Sequence, residues 1–240
     1  MYIVRYNMYV EKMQQSYHGG SKMKQTDLHK IREIAISLLY IEMCETELSP
    51  LIVSHPYFDS AYLPQKNGEV LNVLEEPSAI EYIRNIRRRQ LEKGDVNRII
   101  SLINKPYRIF YVKCCWDYMS DKDRAEALKF AWITSENTNH DVNVNHHDIQ
   151  KMFREVKKEY FMNELDFEKY MDLSDEFIVY RGVQHNATED GFSWTLSKEK
   201  AKWFASRFNN HGKVIERKVQ KKDVFAYIDD LGEQEIILNI

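Results

Sequence analysis

The chain has 240 residues, 43% of them hydrophobic and 30% charged, with a formal net charge of −3. That length suits one large domain or two close lobes around a substantial core. The balanced charge lacks the basic field with which nucleic-acid binders displace counterions, so composition argues against a nucleic-acid partner. No apolar run approaches the ~20 residues of a membrane span, so no membrane partner is expected. Cys44, Cys114 and Cys115 form no CxxC spacing, and they read as buried, reduced thiols of a soluble cytoplasmic protein.

Residues 1–20, rich in Tyr, Met and Gln, show no period and read as a short strand or an arm. A helix is expected from Thr26, with Thr26 or Asp27 as its cap and Ile31, Ile34, Ala35, Leu38 and Leu39 recurring at threes and fours. It should end before Ser49-Pro50. Leu51 to His55 reads as a brief extended piece, and Pro56 to Gly68 as a long docked loop carrying Tyr57, Phe58 and Tyr62. Pro77-Ser78 opens a helix to about Gly94, with Ile80, Ile83 and Ile86 inward and Arg84, Arg87, Arg88 and Arg89 outward. Such a run is a solvated face or a partner-binding patch. Asp95 caps the next helix, with Ile99, Ile100 and Ile103 apolar, and Pro106 ends it. Another helix spans Tyr107 to Tyr118, and Ser120 with Asp123 opens one that runs to about Ser135.

A polar break, Glu136 to Asn145, leads into His146-His147. Adjacent histidines on a helix point well apart, and no second cluster of matching ligands appears, so no metal site is expected. Two helices, about 146–158 and 160–171, then complete the helical part.

After Asp175 the period changes to that of strands. Phe177 to Tyr180 is a β-rich run delivering Arg181, whose planar fork fits a phosphate or carboxylate, and Gly182, which permits close backbone approach. Gly191-Phe192 leads into a short strand, Ser193-Trp194-Thr195. Ser197 then caps a helix with Ala201, Phe204, Ala205 and Phe208 inward. Strands are expected at about 214–219 and 224–228, with a final run from Glu233 to Leu238. Glu233 and Glu235, two apart on that run, should share a face and aim two carboxylates into one space, which suits acid/base and oxocarbenium chemistry at a sugar carbon. Taken singly, each piece also has an ordinary structural explanation: an internal ion pair, a short core strand, a solvated strand end.

Together and in order, an arginine closing one strand, Ser-x-Thr on the next and Glu-x-Glu on a late strand resemble the Arg, Ser, Glu motif class of mono-ADP-ribosyltransferases. The run from about Tyr107 through Ile237 is more closely similar to a family of phage and bacterial proteins related in fold to an anti-CRISPR ADP-ribosyltransferase. That likeness rests on Trp132 with Ser135-Glu136-Asn137, Val179 to Val183, Gly191 to Ser197, Trp203-Phe204-Ala205, Asp223 to Tyr227 and Gly232 to Ile236. Two departures stand out. Arg181 and Ser193 are twelve positions apart (193 − 181 = 12), where the arginine-modifying toxins carry a longer, largely helical insertion. The middle motif is Ser-Trp-Thr rather than Ser-Thr-Ser.

The resemblance implies an α+β protein: a helical N-terminal lobe, residues 1–175, and a small split β-sandwich of the ADP-ribosyltransferase type, residues 176–240, together one compact unit. It implies NAD as co-substrate and a macromolecular acceptor, with protein, modified on arginine, as the reading that Glu233 favours. Arg181 would bind the pyrophosphate and the Gly182 backbone the nicotinamide amide, with Tyr180 and Thr195 in the same binding set. Ser193 would position the nicotinamide ribose and the catalytic carboxylate. Glu235 would accept the ribose 2′-hydroxyl and stabilise positive charge as the bond to nicotinamide breaks, and Glu233 would orient or deprotonate the nucleophile. Trp132, Asn137 and Asn139 are candidates for the adenosine side. Two rivals stay open: an inactive ADP-ribosyltransferase-fold binding module and an NAD glycohydrolase.

Overall fold

The computed structural model describes residues 25–239 apart from 48, 65–66, 137, 186 and 208–211. The expectations for residues 1–20, Asn137 and Phe208 lie outside these. The chain divides into two compact units, Met1–Glu136 and Asn137–Ile240.

The first unit is built on α1 (Leu28–Ser37), which Asp27 caps by accepting from the Lys30 N–H. Its apolar stripe, Ile31, Ile34 and Ala35, continues into a 3₁₀ turn with Leu38 and Leu39, and all five are buried. This helix packs against α2 (Pro77–Lys93), α3 (Val96–Leu102) and α4 (Arg108–Cys115), and α5 (Asp121–Thr134) closes on α3 and α4. Asp95 and Ser120 cap α3 and α5 as their positions predict. Two tyrosines tie into α1: the Tyr57 and Tyr111 hydroxyls donate to the carbonyls of Ala35 and Ile31 at 2.8 and 3.0 Å. Trp132 is buried in the core of this unit.

Between α1 and α2 lie two small antiparallel hairpins, β1 (Cys44–Thr46) with β2 (Ser49–Ser54) and β3 (Tyr62–Pro64) with β4 (Val70–Asn72). The expected loop over 56–68 is docked through Pro56, Tyr57, Phe58 and Ala61. Residues 62–64 of it form a strand, and Tyr62 is exposed. Gly68, at φ +87°, makes the turn into β4. Asn67-Gly68 is a hairpin signal, and a reading as loop overlooks it.

On α2 the expected faces also shift. Ala79 and Leu91 are buried, Ile86 is 39% exposed, and Arg84 turns inward, its Nε donating to the Leu39 carbonyl at 2.9 Å above the Tyr40 ring. Cys114 and Cys115 are buried, and burial pushes the Cys114 thiol up to about 12. Cys44, expected to be buried, is exposed.

His55 is 1% exposed, packs against the Phe58 ring at 4.6 Å, and accepts from the Tyr57 N–H through Nδ1. Burial lowers its pKa from 6.5 to about 4. A depressed histidine leaves the unfolded chain binding more protons below pH 6.5, so stability present above 6.5 is lost as pH falls towards 4. The loss expected is roughly 3 kcal/mol. Urea midpoints at pH 7 and pH 4.5 should fall apart in the wild type and close up in His55→Asn, whose Oδ1 can stand in for Nδ1. An equal acid dependence in both proteins would exclude His55 as its source.

The second unit opens with α6 (His146–Glu155), α7 (Lys158–Phe161) and α8 (Glu164–Met171), three helices where two were expected. The strands are β5 (Glu176–Val183), β6 (Ser193–Thr195), β7 (Lys213–Gln220), β8 (Val224–Ile228) and β9 (Glu235–Leu238). They form one antiparallel sheet in the order β7-β5-β6-β9-β8, and α9 (Lys198–Ser206) follows β6. The α6–α8 helices belong with β8. Phe153 stacks on Phe225 at 5.5 Å, the Lys158 ammonium donates to the Val224 carbonyl at 2.6 Å, and the Asp229 N–H donates to Asp166 at 3.2 Å. The units therefore meet at 136/137 rather than at 175/176. Helical period alone assigns these helices to the preceding lobe, whereas their apolar faces are buried against the sheet that follows. The chain is thus α+β, and among the described residues no helix is long and apolar enough to cross a membrane.

Candidate functional site

Within the second unit, β5, β6 and β9 are neighbours, so the Arg, Ser-x-Thr and Glu pieces come to adjacent strands. β5 and β7 pair along eight residues, from Glu176↔Gln220 to Val183↔Lys213, but β5 and β6 pair only at Tyr180↔Thr195. Beyond that pair the strands part. The Arg181 guanidinium takes the place of the next ladder bond, its Nη1 donating to the Ser193 carbonyl at 2.6 Å. The Ser193 N–H is likewise met from outside the sheet, by Asn139 Oδ1 at 2.9 Å.

The wall behind the guanidinium is Gly191. A Cβ there would lie 2.4–2.6 Å from the Arg181 Nη2, Cζ and Nη1 atoms, so only glycine admits the side chain. Trp194 Nε1 fixes that wall by donating to the Gly191 carbonyl at 2.8 Å, and Arg217 lies over the Trp194 ring at 4.6 Å. Burial lowers the Arg181 pKa from its ordinary value, Asp190 and then Glu235 oppose this, and Arg217 adds to it. An arginine so placed stays charged. Its Nε is buried and has no acceptor among the described residues, a state that costs roughly 1–3 kcal/mol unless something supplies one.

Glu235 heads β9, opposite Thr195 on one side and Ile228 on the other. The pleat places the side chains of Tyr180, Thr195 and Glu235 on one face and those of Arg181, Trp194 and Ile236 on the other. Glu235 is nonetheless within electrostatic reach of Arg181.

The expectation that Glu233 and Glu235 share a strand face fails. The strand begins at Glu235, and Gln234 sits at φ +47°, so the two-residue alternation does not extend back to Glu233. Glu233 belongs instead to the preceding turn. The Thr195 hydroxyl donates to the Glu233 carbonyl at 2.6 Å, and the Gln234 N–H donates to Asp229 Oδ1 at 2.9 Å. Burial pushes the Glu233 carboxyl up from its ordinary range, with Lys200 and then Arg207 pulling it back.

Gly182 also differs from its expected reason. A Cβ at Gly182 would lie 2.1 Å from the Ala201 carbonyl oxygen and 2.6 Å from the Ala205 nitrogen, so the backbone that approaches it closely is that of α9. Tyr180 lies on this covered face, with the Lys198 ammonium 5.4 Å above its ring. Arg181 and Ser193 thus meet at the parting of the strands, Thr195 and Glu235 lie on the face opposite the Arg181 side chain, Glu233 sits in the adjoining turn, and Tyr180 and Gly182 lie under α9.

Asn139 joins the site through Ser193, and His146 Nε2 lies 2.8 Å from the Asn139 carbonyl while its ring meets Phe192 edge-on at 5.0 Å. The polar break and the first histidine thus brace β6. Asp190 and Arg217 are additions that short motifs do not single out, and Gly191, read from the sequence only as the lead into β6, is the wall behind the guanidinium. No family model, curated protein or solved structure matches the chain.

Proposed function

We propose that the second unit cleaves NAD and transfers its ADP-ribose to a macromolecular acceptor. The observation that supports this reading furthest is the parting of β5 from β6 around Arg181, where a buried guanidinium nitrogen without an acceptor among the described residues lies one strand from Ser193 and two from Glu235. An anionic pyrophosphate would supply the missing acceptor, and arginine's fork suits it.

In this reading Arg181, held by Ser193 and Gly191, fixes the pyrophosphate. Ser193 and Thr195 order the ribose side, and Glu235 accepts the ribose 2′-hydroxyl. The C1′–N bond breaks with its electron pair going to the nicotinamide nitrogen, which discharges the pyridinium. Glu235 stabilises the positive charge that develops on the ribose, an interaction stronger in the transition state than before it. The acceptor then bonds to C1′ and gives its proton to Glu233, whose raised pKa suits it to act as a base.

A base must be ionised to act. The acid limb of transfer should therefore lie above the ordinary carboxylate range and vanish in Glu233→Gln. The stability sign is opposite to that of a salt-bridged acid: a raised carboxyl favours the fold below its ordinary pKa, and that contribution is lost as pH rises through the raised value. A transfer profile with its acid limb at the ordinary carboxylate pKa would remove Glu233 as the base.

The direct test is incubation with biotin-labelled NAD and host lysate, with nicotinamide release measured in parallel. Released nicotinamide with labelled macromolecule supports transfer. Full release with no label points to a glycohydrolase, and neither heat nor hydrolysis in an NAD titration points to a binding module.

A further inference from the structure

Lys200, Trp203 and Arg207 stand at i, i+3 and i+7, so they line one side of α9 and its end. Trp203 is 53% exposed, and the Arg207 guanidinium lies over its ring at 5.3 Å, forming a flat aromatic and cationic plate. The plate adjoins the site through the chain itself. α9 starts three residues after Thr195 (198 − 195 = 3), the hydroxyl of Thr195 holds the Glu233 carbonyl, and the Leu196 N–H donates to the Gln234 carbonyl at 3.1 Å.

The charge here departs from that of the whole chain. Between positions 198 and 207 the sequence sets Lys198, Lys200, Lys202 and Arg207 against a single acid, Glu199, and in the fold Lys200 and Arg207 also lie within electrostatic reach of Glu233. Lys198 is taken by Glu216 at 3.5 Å. Among the described residues, neither Lys200 nor Lys202 forms an ion pair. An arginine acceptor approaching Glu233 would meet cations, and like charges at an interface cost several kcal/mol. A chain of phosphates carrying flat bases would meet what it needs, cations for the backbone and an aromatic plane for a base.

We propose, building on the transfer reading above, that the acceptor is single-stranded nucleic acid, docked along this side of α9 with a base on Trp203 and phosphates on Lys200 and Arg207. The amine or hydroxyl nucleophile of a nucleotide held there attacks C1′, its proton goes to the Glu233 carboxylate, and the nicotinamide leaves with the electron pair of the broken C1′–N bond. Net charge excludes a protein coated in basic field, but it does not exclude a short strand-binding track.

The test has two arms. In the first, fluorescein-labelled single-stranded RNA and DNA of mixed sequence are titrated with the whole protein, and anisotropy is read at low and raised salt. Binding should weaken steeply with salt. It should also weaken about tenfold or more in Trp203→Ala, the loss expected for one stacked base, and comparably in Arg207→Glu. Absence of binding at low salt, or binding that neither substitution alters, overturns the docking surface. In the second arm, biotin-labelled NAD is supplied with the RNA, the DNA, or agmatine as a guanidinium acceptor. Nuclease-sensitive label on either oligonucleotide supports the proposal and names the sugar. Label on agmatine alone overturns it while leaving transfer intact. Oligonucleotide binding without any release of nicotinamide overturns the transfer reading and, with it, the acceptor role.

Discussion

Glu235→Gln should abolish nicotinamide release while the protein stays folded. The substitution keeps the shape of a half-buried side chain at the head of β9, where backbone pairing to Thr195 and Ile228 holds the strand regardless of the side chain. What it removes is the fixed negative charge near the reacting ribose. Removing one electrostatic stabiliser of a transition state costs about 10²–10³ in rate, and the effect falls on turnover more than on NAD affinity because Arg181 remains. The unfolding temperature should drop only slightly, since Glu235 is the smaller of the two acidic influences that oppose the burial of Arg181. The measurement is nicotinamide release by chromatography alongside a thermal melt. A folded Glu235→Gln protein releasing nicotinamide within tenfold of the wild-type rate would take Glu235 out of the chemistry.

What could be read in the sequence was local. The caps at Asp27, Asp95, Ser120 and Ser197 were legible because each bonds an N–H three residues ahead and needs no knowledge of the rest of the fold. The strands carrying Arg181, Ser193 and Glu235 were legible from their β-branched and aromatic runs. Their adjacency in the sheet follows from no local rule, and neither does the single-pair junction that lets Arg181 reach the Ser193 carbonyl. Glu233 was misread because alternation holds only for extended backbone, and Gln234 carries none of the glycine or asparagine signals that usually announce φ > 0. The helices over 146–171 were placed in the wrong unit for a related reason. A period of 3.6 says that a face is apolar, not which partner covers it.

Two glycines of the site give opposite expectations, and the contrast tests whether the parting of the strands is a built feature. In Gly182→Ala the new methyl carbon meets backbone atoms of α9, 2.1 Å from the Ala201 oxygen, and no rotamer can relieve this. The helix must lift from β5. Overpacking of this kind costs about 1–3 kcal/mol or more, and the unfolding temperature should fall by several degrees. In Gly191→Ala the three nearest atoms all belong to the guanidinium of Arg181, the far end of a flexible side chain. The arginine should swing away, losing its bond to the Ser193 carbonyl, with a much smaller loss of stability. NAD affinity should then collapse in Gly191→Ala at nearly wild-type stability, as read by calorimetric titration and a thermal melt on the same sample. If Gly191→Ala binds NAD as the wild type does, the guanidinium held against Gly191 is a structural prop, and the pyrophosphate must be sought elsewhere.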